Sequence, residues 1–186
     1  LKVKPLYSIT FFNRNIKNWI LWSPDPNANY WSAQNLAKVH SRGIEQRISK
    51  QLLFKKLKID LSGGYDFILS TNEKTIRNPK IEKGDQLWYV PKNQAFGKLE
   101  VSFKKFELNY RHQFTGEIST VRIPIMDKYQ IGNMSCAFAP KFGRLDSRLS
   151  FSINNVWNTN YRVIEYRPMP GRNFQTSLKI KFSKNN

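Results

Sequence analysis

Residues 154–182 read NNVWNTNYRVIEYRPMPGRNFQTSLKIKF, and the last ten of them alternate polar and apolar side chains without a break. Successive side chains of a strand point to opposite faces, so Phe174, Thr176, Leu178, Ile180 and Phe182 share one side and Asn173, Gln175, Ser177, Lys179 and Lys181 the other. A strand buried on both faces would read as a continuous apolar run. This one has an oily face and a wet face, which fits either a half-exposed sheet of a soluble domain or the wall of a membrane barrel.

The same period recurs upstream. In KLKIDLSGGYDF (56–67), Leu57, Ile59, Leu61, Gly63, Tyr65 and Phe67 oppose Lys58, Asp60, Ser62, Gly64 and Asp66. In FELNYRHQF (106–114), Phe106, Leu108, Tyr110, His112 and Phe114 oppose Glu107, Asn109, Arg111 and Gln113. KLEVSF (98–103) and RLSFSIN (148–154) repeat it, the latter lining up Leu149, Phe151 and Ile153. Helical spacing competes only around residues 35–48. The chain is therefore predicted to be all-β, with eight strands at about 5–22, 34–50, 55–70, 86–103, 106–116, 128–140, 148–157 and 172–182.

The connections between these strands sort into two kinds. Long ones at 23–33, 71–85, 117–127 and 158–171 alternate with short ones at 52–55, 104–105 and 141–147. Alternate connections of an antiparallel meander lie at opposite ends, so one end carries long loops and the other tight turns, the asymmetry of outer-membrane barrels. Trp19, Trp22, Trp31, Trp88 and Trp157 fall near the long-loop end, whereas Tyr7, Phe54, Phe103, Phe106, Phe142 and Phe182 fall near the other. Two aromatic belts around an aliphatic middle match the two interfaces of a bilayer. A soluble sheet with aromatic rims remains the alternative.

Composition constrains the partners. The 186 residues carry a net charge of +18, with 40% hydrophobic and 14% aromatic residues, enough apolar material to fold. The basic residues are scattered without a run of five, which weakens a nucleic-acid reading but leaves a soluble basic β-protein that binds nucleic acid as an alternative. A single cysteine, Cys136, excludes an internal disulfide framework, and two histidines, His40 and His112, are too few for a histidine-rich metal site. No metal site and no cofactor are expected. No stretch approaches 18 apolar residues, so no membrane helix is present, and the opening LKVKPLYS shows neither Met nor a signal-peptide pattern, so an upstream segment is expected to have been removed.

The segment quoted first, with Asn160 and Tyr161, a loop, and Pro170-Gly171-Arg172 leading into a final alternating strand, resembles the end of TonB-dependent outer-membrane receptors. ILWSPDPNANYWSAQNLAKVHSRGIE (20–45) and LWYVPKNQAFGKLEV (87–101) resemble earlier strands of that family in the same order. The resemblance covers almost the whole chain and is closest in style to cobalamin-receptor-like and siderophore-receptor-like members from Bacteroidota. It implies an antiparallel up-and-down transmembrane β-barrel of about 22 strands, with residues 1–186 as a C-terminal sector lacking the plug domain, either a portion of a receptor or one chain of a split one. It implies no catalytic residue and an outer-membrane location. It also implies a set of partners: membrane lipid and lipopolysaccharide, the remaining barrel and plug, the TonB energy-transducing complex, a surface lipoprotein and a scarce nutrient such as cobalamin, a siderophore or another metal chelate. Nucleic acid is not among them. Family members usually close on an aromatic residue, whereas Phe182 is followed by Ser183-Lys184-Asn185-Asn186. A closed eight-stranded barrel, structural or enzymatic, is the rival. An enzyme would need Ser, His and carboxylate together at the outer rim, and His40 has no evident partner.

Alternation then assigns faces. Leu57, Ile59, Leu61, Leu108, Tyr110, Leu149, Phe151, Ile153, Phe174, Leu178, Ile180 and Phe182 are expected toward lipid, and Lys58, Asp60, Asp66, Glu107, Arg111, Lys179 and Lys181 toward the lumen. Trp22, Tyr30, Trp31, Tyr166 and Arg167 are candidates to face ligand from the long loops, with interface anchoring as the competing role. Arg77, Lys80, Lys83, Arg122, Arg162 and Arg167 would meet lipopolysaccharide phosphates or an anionic ligand. Gly63 and Gly64 are expected to permit bending or the close approach of an aromatic ring. Cys136 is placed on the lipid face with Met134 and Phe138, after a register change near Gly132.

Overall fold

A computed structural model of the chain describes residues 5–24, 30–75, 80–121, 125–143 and 145–182. Eight strands run in chain order: β1 Leu6–Pro24, β2 Trp31–Phe54, β3 Leu57–Asn72, β4 Asn93–Phe103, β5 Phe106–Thr115, β6 Tyr129–Phe138, β7 Leu145–Asn154 and β8 Asn173–Phe182. Each pairs antiparallel with its sequence neighbour in one open sheet whose outer members are β1 and β8. Every residue of β8 is exposed, because only β7 lies beside it.

Register converts the alternation into two continuous surfaces. Phe54, Leu57, Phe103, Phe106, Phe138, Leu149 and Leu178 are successive cross-strand partners from β2 to β8. Three positions along each strand, and so on the opposite face, the partners are Gln51, Asp60, Glu100, Asn109, Ser135, Ser152 and Gln175. A slip of one residue at any strand would exchange the rows, so the patterning itself pins the register.

The connections alternate less sharply than expected. Those after β3, β5 and β7 are long, at 73–92, 116–128 and 155–172, and Lys55-Lys56 and Lys104-Lys105 are two-residue turns, but β1 runs on to Pro24 and β2 starts at Trp31, leaving only as many residues between them as lie between Phe138 of β6 and Leu145 of β7. β1 and β2 have 19 and 24 residues against 10 in β5, so their hairpin projects beyond the wall at the long-loop end. Asn18, in the left-handed region at φ 59°, accompanies the register shifts around Trp19.

Several strand boundaries differ from the sequence expectation: β2 spans Trp31–Phe54 rather than 34–50, and β7 spans Leu145–Asn154 rather than 148–157. β4 begins at Asn93 rather than near residue 86. Residues 87–92 still follow β3, with Leu87 N donating to Ser70 O at 2.7 Å and Ile68 N to Lys92 O at 2.8 Å. Pro91 removes a donor there, and Tyr89 sits at φ 60°, which breaks the ladder into turns. Trp88 and Trp157 therefore lie in turns instead of on strands. The register change near Gly132 is also absent: β5 and β6 pair without interruption through His112↔Gly132. Gly132 is required for another reason, since a Cβ there would lie 2.6 Å from Trp157 Nε1 and 2.7 Å from the Tyr110 hydroxyl. Cys136 is exposed on the same face as Met134 and Phe138, as expected. Phe142's side chain lies outside the described residues.

Apart from Ala137 in β6, the buried apolar residues among those described sit at the long-loop end, where Val39 and Leu87 meet Ile16 and Val90. A strand pair formed by Ile118–Ser119 and Ile125–Met126, together with a small hairpin of Arg162–Ile164 and Arg167–Pro168, decorates that end.

Candidate functional site

The polar face is a lattice of paired charges. Arg47 grips Asp66 through both guanidinium nitrogens, one of them at 2.9 Å. Arg148 holds Glu107 at 2.6 and 2.7 Å. Asp60 accepts from Gln51 at 2.7 Å and lies 2.9 Å from Lys58, while Lys98 and Glu100 approach to 2.7 Å. Partial exposure of these pairs keeps each near or below about 1 kcal/mol; collectively they hold long side chains flat against the sheet. Arg47 and Arg111 also flank the ring of Phe96, at 5.5 and 5.1 Å from its centroid. Gly64 is what lets that ring lie down, since a Cβ there would meet Phe96 Cε1 at 2.6 Å. Lys179 and Lys181 face Arg148 and Asp146 around a shallow hollow of about 250 Å³. The expected inward residues, including Lys58, Asp60, Asp66, Glu107, Arg111, Lys179 and Lys181, thus share one surface.

The long-loop end carries a cleft of about 920 Å³, lined by Trp22, Tyr89, Val163, Ile164, Glu165, Tyr166 and Arg167. The hairpin of Arg162–Ile164 and Arg167–Pro168 turns through Tyr166 at φ 58° and so presents Tyr166 and Arg167 to the tip of β1. Trp22 and Tyr166 are both 63% exposed, leaving their ring faces available for stacking. Glu165, only 6% exposed, and Arg167 add one charge of each sign. Three aromatic rings with a guanidinium and a carboxylate suit a planar or aromatic ligand with ionised groups.

Three of the five sequence candidates therefore converge. Tyr30 is exposed but lines no part of this cleft, and the side chain of Trp31 lies outside the described residues. Arg77 and Arg122 lie outside them as well. Lys80 is tied to Glu82 at 3.4 Å, Lys83 is exposed, and Arg162 joins Asp127, Lys128 and Tyr161 around a second hollow of about 320 Å³.

The sequence reading missed what holds the cleft-forming loop. Asn155, 3% exposed, accepts from Thr159 N at 2.9 Å, donates to Thr159 O at 2.8 Å, and donates its own backbone N–H to Asn133 Oδ1 at 3.0 Å. Asn158 Oδ1 accepts from Arg172 N at 2.9 Å, pinning the returning chain. Both asparagines adopt the left-handed conformation, φ 51° and 54°, which they tolerate better than most residues. Tyr161 packs against Tyr129 with the rings tilted by 36° and centroids 4.8 Å apart, and burial, with Tyr129 adding to it, raises its phenol above the usual value. Tyr89 was missed too, hidden within a stretch that reads as strand. The Asn-x-x-Asn spacing at 155 and 158 was the available signal.

A family model described as TonB dependent receptor-like, beta-barrel matches residues 3–165. Among solved structures, the ferric-catecholate import receptor Fiu of E. coli K12 is similar at 15% identity and TM-score 0.62, over 94% of this chain and 25% of that one. FpvA of P. aeruginosa, solved with a ferric pyoverdine, is similar at 15% identity and TM-score 0.64, over 94% and 24%. The FrpB iron transporter of Neisseria meningitidis is similar at 16% identity and TM-score 0.58, over 94% and 28%. The chain thus spans about a quarter of the length of each of these structures. No curated protein matches it by sequence.

Proposed function

The chain belongs to the TonB dependent receptor-like β-barrel family, and from that premise we propose that it forms the C-terminal wall of an outer-membrane receptor that imports a scarce, chelated nutrient with energy transmitted by TonB. The observation that carries this is the two-faced open sheet. Strands β4 to β8 have 10 or 11 residues, the length that crosses a bilayer when tilted. An open sheet in hydrocarbon leaves unpaired N–H and C=O groups along β1 and β8, each costing several kcal/mol, so the wall requires further strands to close it.

In this reading the apolar row faces lipid, and the paired charges line a wet lumen. Charges already neutralised by one another offer a plug a surface to rest on without strong adhesion, which a moving part needs. The cleft of Trp22, Tyr89, Tyr166 and Arg167 takes the ligand from outside. Siderophores and related chelates carry planar and ionised groups of the kind this cleft suits, and the three similar structures are a ferric-catecholate import receptor, FpvA bound to a ferric pyoverdine, and an iron transporter. No bond-making chemistry is required.

Uptake by cells carrying the intact receptor tests the proposal. Accumulation of radiolabelled ferric chelates and cobalamin should stop when TonB is deleted. Trp22→Ala with Arg167→Ala should weaken binding of the transported ligand about tenfold or more while leaving receptor abundance unchanged. Uptake indifferent to TonB would refute the transport role; unchanged binding would remove the cleft from it.

A further inference from the structure

The tight-turn end repeats an unusual choice. Both two-residue turns are Lys-Lys, at Lys55-Lys56 and Lys104-Lys105, and the first lysine of each occupies the left-handed region, φ 50° and 55°. Glycine or asparagine is favoured there. A local rule broken twice in the same way, with no packing gain, points to a role for the side chain.

All four lysines are exposed, and among the described residues none forms an ion pair. The carboxylates nearest this end, Asp60, Glu100, Glu107 and Asp146, lie on the opposite face, where Lys58, Lys98 and Arg148 engage the first three and Asp146 stands beside Lys181 across the ladder. Outward at this end stand Phe54, Leu57, Phe103, Phe106 and Phe138, with no acidic side chain among them. Lys104 Nζ lies 5.3 Å from the centre of the Phe103 ring, which sets an ammonium at the level of the aromatic belt. Directly beside it a groove of about 390 Å³ runs along the outer face, walled by Phe103, Phe106, Leu108, Phe138, Leu149 and Phe151.

A cationic cap over an apolar groove matches one amphiphile in shape and charge. We propose that this end of the wall holds an anionic glycerophospholipid, its phosphodiester on Lys104 and Lys105 and an acyl chain in the groove between β4 and β7. Lys55-Lys56 repeats the cap one hairpin along. The inference rests on the barrel orientation proposed above, with tight turns at the periplasmic leaflet. Anionic headgroups there would anchor the wall at a fixed depth, because lysine stems bury their methylenes while the ammonium stays with the phosphates.

The test is native mass spectrometry of the intact receptor released from nanodiscs containing equal phosphatidylglycerol and phosphatidylethanolamine. The parent should retain phosphatidylglycerol preferentially. Lys104→Gln with Lys105→Gln should lower that preference about fivefold or more, and Leu108→Trp, which fills the groove, should lower total retained lipid. Lys58→Gln with Lys98→Gln, on the opposite face where both lysines are paired with carboxylates, should change neither. Equal retention of both lipids by the parent, an unchanged ratio in the Lys104/Lys105 variant, or an equal fall in the control pair would each overturn the lipid site. A parent that inserts normally but shows no preference refutes this proposal alone. A parent that fails to enter the disc refutes the barrel reading beneath it.

Discussion

Substituting Leu149 by lysine probes the two-faced wall at mid-depth. Leu149 is central in the ten-residue strand β7, and its cross-strand partners are Phe138 and Leu178, all on the apolar face. A lysine facing hydrocarbon near the midplane of a β-barrel costs about 2–4 kcal/mol. The neighbouring position, Ser150, points the other way and pairs with Ala137 and Ser177. A lysine there enters the face that already holds Arg148 and Lys179, so its cost should stay within about 0.5 kcal/mol. The difference, about 1.5–3.5 kcal/mol, corresponds to roughly a 10- to 300-fold change in the ratio of folded to unfolded receptor. Urea titration of the intact receptor in lipid vesicles, followed by tryptophan fluorescence and by heat-modifiable gel mobility, reads that difference as separated midpoints. Equal shifts for the two variants, or a larger one for Ser150→Lys, would refute the face assignment.

Gly132→Val should displace the Trp157 ring, at a cost of about 1–3 kcal/mol. Pairing it with Trp157→Ala should recover most of that loss in a double-mutant cycle, and additive costs would show that the ring is not the reason for the glycine. Asn155→Ala strips both partners from the Thr159 backbone and should cost about 1–3 kcal/mol, visible as faster amide exchange across residues 156–171 with the wall strands unchanged. Tyr161, whose phenol is raised from 10.0 by burial, should ionise later than the exposed tyrosines in an ultraviolet titration. Because the folded-state value is the higher one, the stabilisation by its neutral form is complete below pH 10 and is lost as pH rises through the folded value. Tyr161→Phe should remove that late step, and an unchanged titration would deny the burial.

Alternation alone was sufficient to place eight strands, their antiparallel order and the side on which each of Leu57, Leu108, Leu149 and Leu178 falls. Each of those depends only on the two-residue period of a strand, a property of neighbours in sequence. The short connections expected at 52–55, 104–105 and 141–147, set against long ones, likewise separated the two ends before any coordinates. Where the pattern misled, a local feature overrode it: Pro91 and the left-handed Tyr89 cut β4 short although residues 86–92 read as strand. The cleft could not be read in the same way. Trp22, Tyr89 and Tyr166 are far apart along the chain, and only the fold-back of the 155–172 loop, clamped at its base by Asn155 and Asn158, brings them together. Gly132 shows the same limit, since its lack of a side chain is explained by Trp157, a ring that arrives from the turn beyond β7. Periodicity reports which way a side chain points; which distant side chain it meets is decided by register, loop closure and shape, and these exist only once the sheet has formed.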